Sequence, residues 1–347
     1  MEDKFRLDGQ KLSFHPHRVA QWLDSKDDWE KAKKLYPIYI EISPAGVCNH
    51  SCSFCGIDYV LAENAKNKVA PLLDADIMAF RLPEMGALGV KSVMFAGEGE
   101  PLLHKRIDDM VMWSKMGGMD VAFTTNATLL HKLDRVAECS WIKASVNAGT
   151  EASYMAIHKA KKGDWERVWT NLAEAVKRKG SCTIGAQMVM LPENEHEVDE
   201  FQRRCADAGL DYGVVKPYSQ HKFSINQQDW KPIAMPESKG NLVMRTTAAA
   251  TTGHSYKRCL STPMLWGYLM ANMDLYSCSA YLLDDRFNLG NLQYDTFQKV
   301  WESEKRRANW EYVTKELDIS ECRVNCRMAR SNEFLHEMTT SAHISFI

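Results

Sequence analysis

From residue 37 to residue 219 short apolar runs alternate with amphipathic stretches, and that rhythm admits few folds. The runs at 37–42, 91–97, 120–127, 141–148, 182–191 and 212–219 read as strands. Between them, 74–89, 164–180 and 195–210 carry apolar residues at helical spacing. Gly180 stands where the second of these helices should stop, and Pro83 should kink the first. Six strands, each followed by a helix or loop, predict an α/β fold with a parallel sheet curled into a partial (β/α)6 TIM-type barrel. The rhythm fades after about residue 220, and 224–258 reads as a long irregular connector. We therefore expect a short helical preface over 1–36, a barrel over 37–250, and a smaller C-terminal module over 251–347. The apolar ending of the chain, His336 to Ile347, is expected to dock on the protein.

Charge narrows the function. Lysine and arginine number 43 and acidic residues 45, a net charge of −2. This is no electrostatic footprint for nucleic acid or an anionic membrane surface. No apolar run approaches the ~20 residues of a membrane span. The opening MEDKFRLDGQ lacks the apolar core of a signal peptide, so the cytoplasm is the expected location. In that reducing compartment the 10 cysteines should not be read as disulfides. Cys48, Cys52 and Cys55 form one group, and Cys259, Cys278, Cys322 and Cys326 a second. Cys139, Cys182 and Cys205 stand alone and read as small apolar core residues.

The first cysteine group follows the first strand, at the C-terminal mouth of the barrel where such folds place their chemistry. Three thiolates in one loop can hold three irons of a 4Fe–4S cubane and leave the fourth iron open to a ligand. A zinc knuckle completed by His50 is the alternative. Four thiolates from the second group can close a cluster, or a zinc ion, completely.

Cys48-x3-Cys52-x2-Cys55, with Phe54 before the third cysteine, resembles the cluster motif of the radical S-adenosylmethionine (SAM) superfamily. The segment GEGEPLLH over 97–104 is similar to that family's glycine-rich SAM segment. The resemblance implies roles for Gly97, Gly99 and Glu100, with Glu100 meeting the methionine ammonium of SAM. TTNAT over 124–128 resembles the segment lining the SAM site, which brings in Asn126. SVNAG over 145–149 offers Ser145 and Asn147 as ribose contacts, and Gln187 is a further candidate for that role. The second cysteine group resembles the shortened, or twitch, form of the SPASM auxiliary-cluster domain. It departs from that pattern in having Met273 where the family usually has glycine, and three residues between Cys322 and Cys326 rather than two.

What the resemblance implies is an enzyme with SAM and two 4Fe–4S clusters, one binding SAM and one auxiliary. It would cleave SAM reductively to a 5′-deoxyadenosyl radical and take hydrogen from a carbinol carbon of a polar small molecule. Such substrates include a sugar, an aminocyclitol or a nucleoside-linked sugar, oxidised to a ketone. An epimerase and a peptide or protein maturase are the alternatives. His221 and Lys216 are the candidates for general base. His104 and Tyr218 also fall where a substrate could meet them. A flavodoxin- or ferredoxin-type electron donor is the expected partner, with no nucleic acid and no membrane.

Overall fold

The computed structural model describes residues 11–218, 221–227, 233, 242–244, 255–262, 264–322 and 326–346. The expected boundary near residue 250 and most of the 224–258 connector lie outside them. All six expected strands are present: β1 (Tyr39–Ile42), β2 (Ser92–Phe95), β3 (Asp120–Thr125), β4 (Trp141–Ser145), β5 (Thr183–Met190) and β6 (Tyr212–Pro217). Each pairs in parallel with the next. The mixed α/β fold with its parallel-strand sheet is that of a partial TIM barrel.

Four strands were not foreseen as part of this sheet. β7 (Leu242–Met244) lies parallel to β6, inside the stretch read as irregular. β8 (Trp266–Leu269) lies parallel to β1 on the opposite edge. From β8 the sheet turns antiparallel through β9 (Asp274–Tyr276) and β10 (Asn288–Asn291). The ten strands run in the order β10-β9-β8-β1-β2-β3-β4-β5-β6-β7. The cysteine-bearing C-terminal part thus continues the barrel sheet across β1.

Helices α1 (Pro16–Ser25), α2 (Trp29–Ala32), α3 (Asp58–Lys66) and α4 (Ala75–Ala87) come first, and α4 continues through Pro83. Asp74 caps α4 by accepting hydrogen bonds from Asp76 N and Ile77 N. Then follow α5 (Ile107–Met116), α6 (Glu151–His158), α7 (Asp164–Lys177) and α8 (Val198–Asp207). The C-terminal part adds α9 (Phe297–Trp301), α10 (Glu304–Lys315) and α11 (Ala329–Thr340).

Strand side chains alternate between two faces. Ile40, Ile42, Val93, Phe95, Val121 and Phe123 point outward into one core with Met78 and Leu82 of α4, Met110 of α5, Leu172 of α7 and Phe201 of α8. Each such side chain contributes about 1.5–3 kcal/mol by leaving water. Cys139, Cys182 and Cys205 belong to this outer core, as read from the sequence. The other face lines the barrel lumen and includes Glu41 of β1, Lys143 of β4, Gln187 of β5 and Lys216 of β6. Glu41 pairs with Arg327, the neighbour of Cys326.

The N-terminal preface packs on the C-terminal part: Leu12, Val19, Trp22 and Trp29 share a cluster with Leu265, Trp310 and Leu335. Trp22 Nε1 donates to Leu260 O at 3.0 Å. The expected docking of the chain's end is not seen. Ile344 and Phe346 are 74% and 84% exposed: α11 ends at Thr340, and the described residues after it, 341–346, are all exposed. Among the described residues no helix is long and apolar enough to cross a membrane.

Candidate active site

The loop from β1 to α3 carries Cys48, Cys52 and Cys55 and rests on two neighbours. On one side Gly99 N donates to Ala45 O and Glu100 N to Val47 O, both at 3.0 Å. On the other, Ser51 N donates to His158 O at 3.1 Å and Ser53 N to Ile157 O at 2.9 Å, at the end of α6. The first support explains the glycines. A Cβ on Gly99 would stand 1.7 Å from Val47 O, and Gly97 has φ +119° with Ser43 Cβ 2.3 Å from where its own Cβ would be. No side chain fits between the two loops.

Glu98, the residue that interrupts the glycines, turns away from the thiols. Its Oε1 accepts from Ala271 N at 2.9 Å and so ties the β2 loop to the β8–β9 hairpin. Glu100 is buried and accepts from Thr125 Oγ1 at 2.5 Å, Asn126 N at 2.7 Å and Leu102 N at 3.1 Å. Burial outweighs these donors and lifts both carboxyls to about 7. A cation brought to Glu100 would return it to the ionised form.

Asn126 joins the loop after β3 to the cysteine loop: its Nδ2 donates to Asn49 Oδ1 at 2.8 Å, and Asn49 Nδ2 donates to Thr128 Oγ1 at 2.9 Å. Asn147, at φ +55°, is wholly buried. Its Oδ1 accepts from Val189 N at 2.9 Å and its carbonyl from Asn194 Nδ2 at 2.8 Å, so it organises the ends of β4 and β5. Ser145 and Gln187 face each other in register, and Gln187 Oε1 is buried without a hydrogen-bond partner. Phe54 meets the His158 ring edge-on at 5.9 Å and packs against Ile157, Val189 and Leu191. Phe54, Glu100, Asn126, Ser145 and Asn147 stand at or just past the C-terminal ends of β1 to β4, and Gln187 lies within β5.

The candidate bases divide. His221 stacks on Tyr59 of α3 at 5.3 Å, and its Nδ1 accepts from Phe223 N at 3.2 Å. The residues after it are strapped beside Cys55: Ser224 Oγ donates to Cys55 O at 3.4 Å, and Asp58 accepts from Ile225 N and Asn226 N at 3.0 and 2.8 Å. Lys216 lies opposite Val189 in register, near the C-terminal end of β6. Tyr218 packs in the same cluster as Phe54. His104 is turned into the wall. Its Nε2 donates to Leu73 O at 2.9 Å and its Nδ1 accepts from Arg106 N at 3.2 Å, so neither nitrogen meets a substrate.

Cys278 lies just past β9, and burial raises its thiol pKa, with Cys326, Cys259 and Cys322 adding to the rise. Cys259, Cys278 and Cys322 pack against an apolar group that includes Tyr268, Tyr281 and Phe287. Tyr281 Oη lies 3.4 Å from Cys322 Sγ, and Asn332 Nδ2 donates to Cys259 Sγ at 3.6 Å. Asn332 Oδ1 accepts from Leu260 N and Ser261 N, which fixes its orientation. Met273 takes the φ of +72° that a glycine would adopt without strain. Its hairpin is closed by Met270 N donating to Asp274 O.

Among the described residues no three of these seven thiols have their sulfurs all within 4.8 Å of one another. A tetrahedral zinc with Zn–S bonds of about 2.3 Å would need edges of about 3.8 Å. At the three-cysteine loop, the side-chain-free cradle at Gly99 and the unpartnered Gln187 Oε1 fit a cluster with a bound cosubstrate.

Residues 42–205 match the model of the Radical SAM superfamily. The chain carries a radical SAM domain. That domain implies a SAM-binding 4Fe–4S cluster held by Cys48, Cys52 and Cys55. A probable GTP 3′,8-cyclase of Methanothermobacter marburgensis is 29% identical over 184 residues, 52% of this chain and 57% of that protein. The chain thus matches little more than half the length of that relative. Streptococcus suis SuiB, solved with its precursor peptide SuiA, superposes with a TM-score of 0.60 at 16% identity, over 84% of this chain and 69% of SuiB. The AdoMet-bound anSMEcpe gives 0.56 at 15% identity, over 86% and 91%. Both likenesses reach past the radical SAM domain and show a common fold.

Sequence reasoning missed the supports of this domain: Asn49, Thr125, Asn194, Glu98 and His158. Each acts through a contact distant in sequence, and no local pattern marks it.

Proposed function

We propose that this radical SAM enzyme oxidises a carbinol carbon of a polar small molecule (a sugar, aminocyclitol or nucleoside-linked sugar) to a ketone. The observation that carries the reading is the second thiol set. Cys278 lies just past β9 of the barrel sheet, close enough to Cys259, Cys322 and Cys326 to feel their charge, and Arg327 beside Cys326 pairs with Glu41 of β1. A second 4Fe–4S cluster there, in a twitch-type module over 251–347, would adjoin the lumen.

When bound, SAM and the two clusters supply a 5′-deoxyadenosyl radical that takes the carbinol hydrogen atom and an acceptor for the electron left on carbon. The chain's own residues do the rest. Glu100 receives the methionine ammonium, and Gln187 Oε1, Ser145 and Asn147 border the ribose. Gly97, Gly99 and Asn126 shape the loops around them, and Phe54 packs behind. His221 or Lys216 accepts the hydroxyl proton. Hydrogen atom, proton and electron then each have an acceptor, which closes the two-electron oxidation. A reduced flavodoxin- or ferredoxin-type protein supplies the electron that starts each turnover.

Epimerisation needs a thiol near the substrate radical to return a hydrogen atom. Cys139, Cys182 and Cys205 lie in the outer core between strands and helices, which counts against it. Peptide maturation is the second reading, favoured by the SuiA peptide bound to SuiB.

The test is iron and sulfide per chain after anaerobic reconstitution, for the native protein and for Cys48/Cys52/Cys55→Ala, with electron paramagnetic resonance of both. The variant should keep about half the iron, as a 4Fe–4S signal, and form no 5′-deoxyadenosine on reduction. If it keeps none, the electron-accepting role fails and a redox-neutral reaction replaces it.

A further inference from the structure

Cys52 has a second set of neighbours that cluster ligation does not use. His158, the last residue of α6, is buried, and its Nδ1 stands 3.1 Å from Cys52 Sγ. Its Nε2 lies 2.8 Å from Val146 O. A carbonyl only accepts, so Nε2 carries the proton and Nδ1 turns a lone pair toward the sulfur. His50, from the cysteine loop itself, places its ring 5.2 Å from that of His158. Both His50 nitrogens are buried without a hydrogen-bond partner. Its Nε2 stands 3.5 Å from Asp164 Oδ2, and Asp164 is held in turn by Lys161 N at 3.0 Å and Arg167 Nη1 at 2.6 Å.

A ring nitrogen from each histidine and the Cys52 sulfur all lie within 4.8 Å of one another. Both rings are buried, and the Nε2 proton of His158 is engaged by Val146 O, so its Nδ1 lone pair is the one left for a ligand. Metal-binding histidines characteristically turn their other nitrogen to a carbonyl or carboxylate, and here Val146 O and Asp164 occupy those places. His50 Nδ1, the nitrogen turned from Asp164, is left buried with no partner of its own.

We propose that the cluster-free chain binds one divalent ion of the zinc class through His50, Cys52 and His158, and that this ion and the 4Fe–4S cluster exclude each other because both need the Cys52 sulfur. Two imidazoles and one thiolate suit zinc or cobalt and not magnesium or calcium. Binding replaces the Cys52 thiol proton, which leaves to solvent, with a metal–sulfur bond. The fourth position on the ion falls to water.

The site is tested in chains that cannot build the SAM-binding cluster. Metal-free Cys48/Cys55→Ala keeps the three donors, and Cys48/Cys52/Cys55→Ala lacks one. Both keep the second thiol set, so only the difference between them reports on this site. In a Co2+ titration the double variant should take up one more ion per chain, with added sulfur-to-cobalt absorption and one more proton released. His158→Ala or His50→Ala in the double-variant background should abolish the extra ion. His50→Ala removes only the 3.5 Å contact to Asp164, which Lys161 N and Arg167 still hold, so it serves where His158→Ala disturbs folding, and circular dichroism verifies each variant. Equal uptake by the two parent variants overturns the proposal, as does an extra ion that survives both histidine substitutions. Production of 5′-deoxyadenosine by the reconstituted native protein is independent of these outcomes.

Discussion

Gly99→Ala should uncouple the cysteine loop from the loop after β2. The new Cβ would lie 1.7 Å from Val47 O and 2.8 Å from Ala45 O, where contacts under 3.0 Å essentially never occur. The obstacle is backbone, so one loop must retreat by more than 1.3 Å, the difference between 3.0 and 1.7 Å. That movement breaks the hydrogen bonds from Gly99 N to Ala45 O and from Glu100 N to Val47 O. Each is worth about 1 kcal/mol net, and overpacking adds about 1–3 kcal/mol, for a total of roughly 3–5 kcal/mol. Cys48 and Glu100 move with the chain, so iron in the three-cysteine site should fall too. Gly56→Ala is the control: it directly follows Cys55, yet its Cβ would meet nothing within 4 Å. It should change stability by less than about 0.5 kcal/mol and keep its iron. Urea denaturation of the metal-free chains, followed by iron analysis after reconstitution, reads both effects. Gly99→Ala within about 0.5 kcal/mol of the native chain would refute the reasoning, as would Gly56→Ala losing as much as Gly99→Ala.

Other consequences follow from the same geometry. Glu98 and Glu100 hold protons to about pH 7 in the folded chain but release them near 4.5 when unfolded. The stability this gives is full below pH 4.5 and is lost as pH rises to about 7, by roughly 3 kcal/mol per carboxyl. Urea titrations of the metal-free chain at pH 5 and 7.5 should show the loss, and Glu100→Gln should show less of it while binding SAM more weakly. Gln187→Leu removes a buried acceptor that has no partner, so the ligand-free chain should hold or gain up to about 1 kcal/mol. Its SAM affinity by calorimetry should fall about tenfold, the worth of one hydrogen bond. Met273→Gly relieves about 1–2 kcal/mol of left-handed backbone strain but empties a buried side-chain site worth about 2–5 kcal/mol. Net destabilisation of about 0–4 kcal/mol is expected by urea denaturation, and a net gain would show that Met273 does not pack as described.

The parts of this fold that could be read from the sequence are those written in local periodicity. β1 to β6 alternate with helices, and the motif loops follow strands, so the spacing of Cys48, Glu100, Asn126 and Ser145 already placed them at one end of a barrel. The supports beneath them are contacts across long separations, which no window of sequence contains. Glu98 looks like an insertion that spoils a glycine motif, yet it reaches Ala271, 173 residues away. His158 looks like the end of an ordinary amphipathic helix; only the meeting of α6 with the cysteine loop makes it a neighbour of Cys52. His104 is the converse, a plausible substrate contact by position whose nitrogens both serve the wall. The exposed Phe346 fails for a related reason, since an apolar side chain states what it would prefer to touch and not whether a surface is there. Met273 joins the two kinds of information. Its hairpin needs a left-handed residue, which favours glycine, while Leu275, Leu289, Leu292, Val300 and Trp301 form with it the core against which β8 and β9 pack. A methionine there accepts backbone strain and gains side-chain burial, so the thiols that follow are held by packing as well as by the turn. That balance is set by atoms from three separate segments, and it is why a departure from a family pattern becomes interpretable only once the neighbours are known.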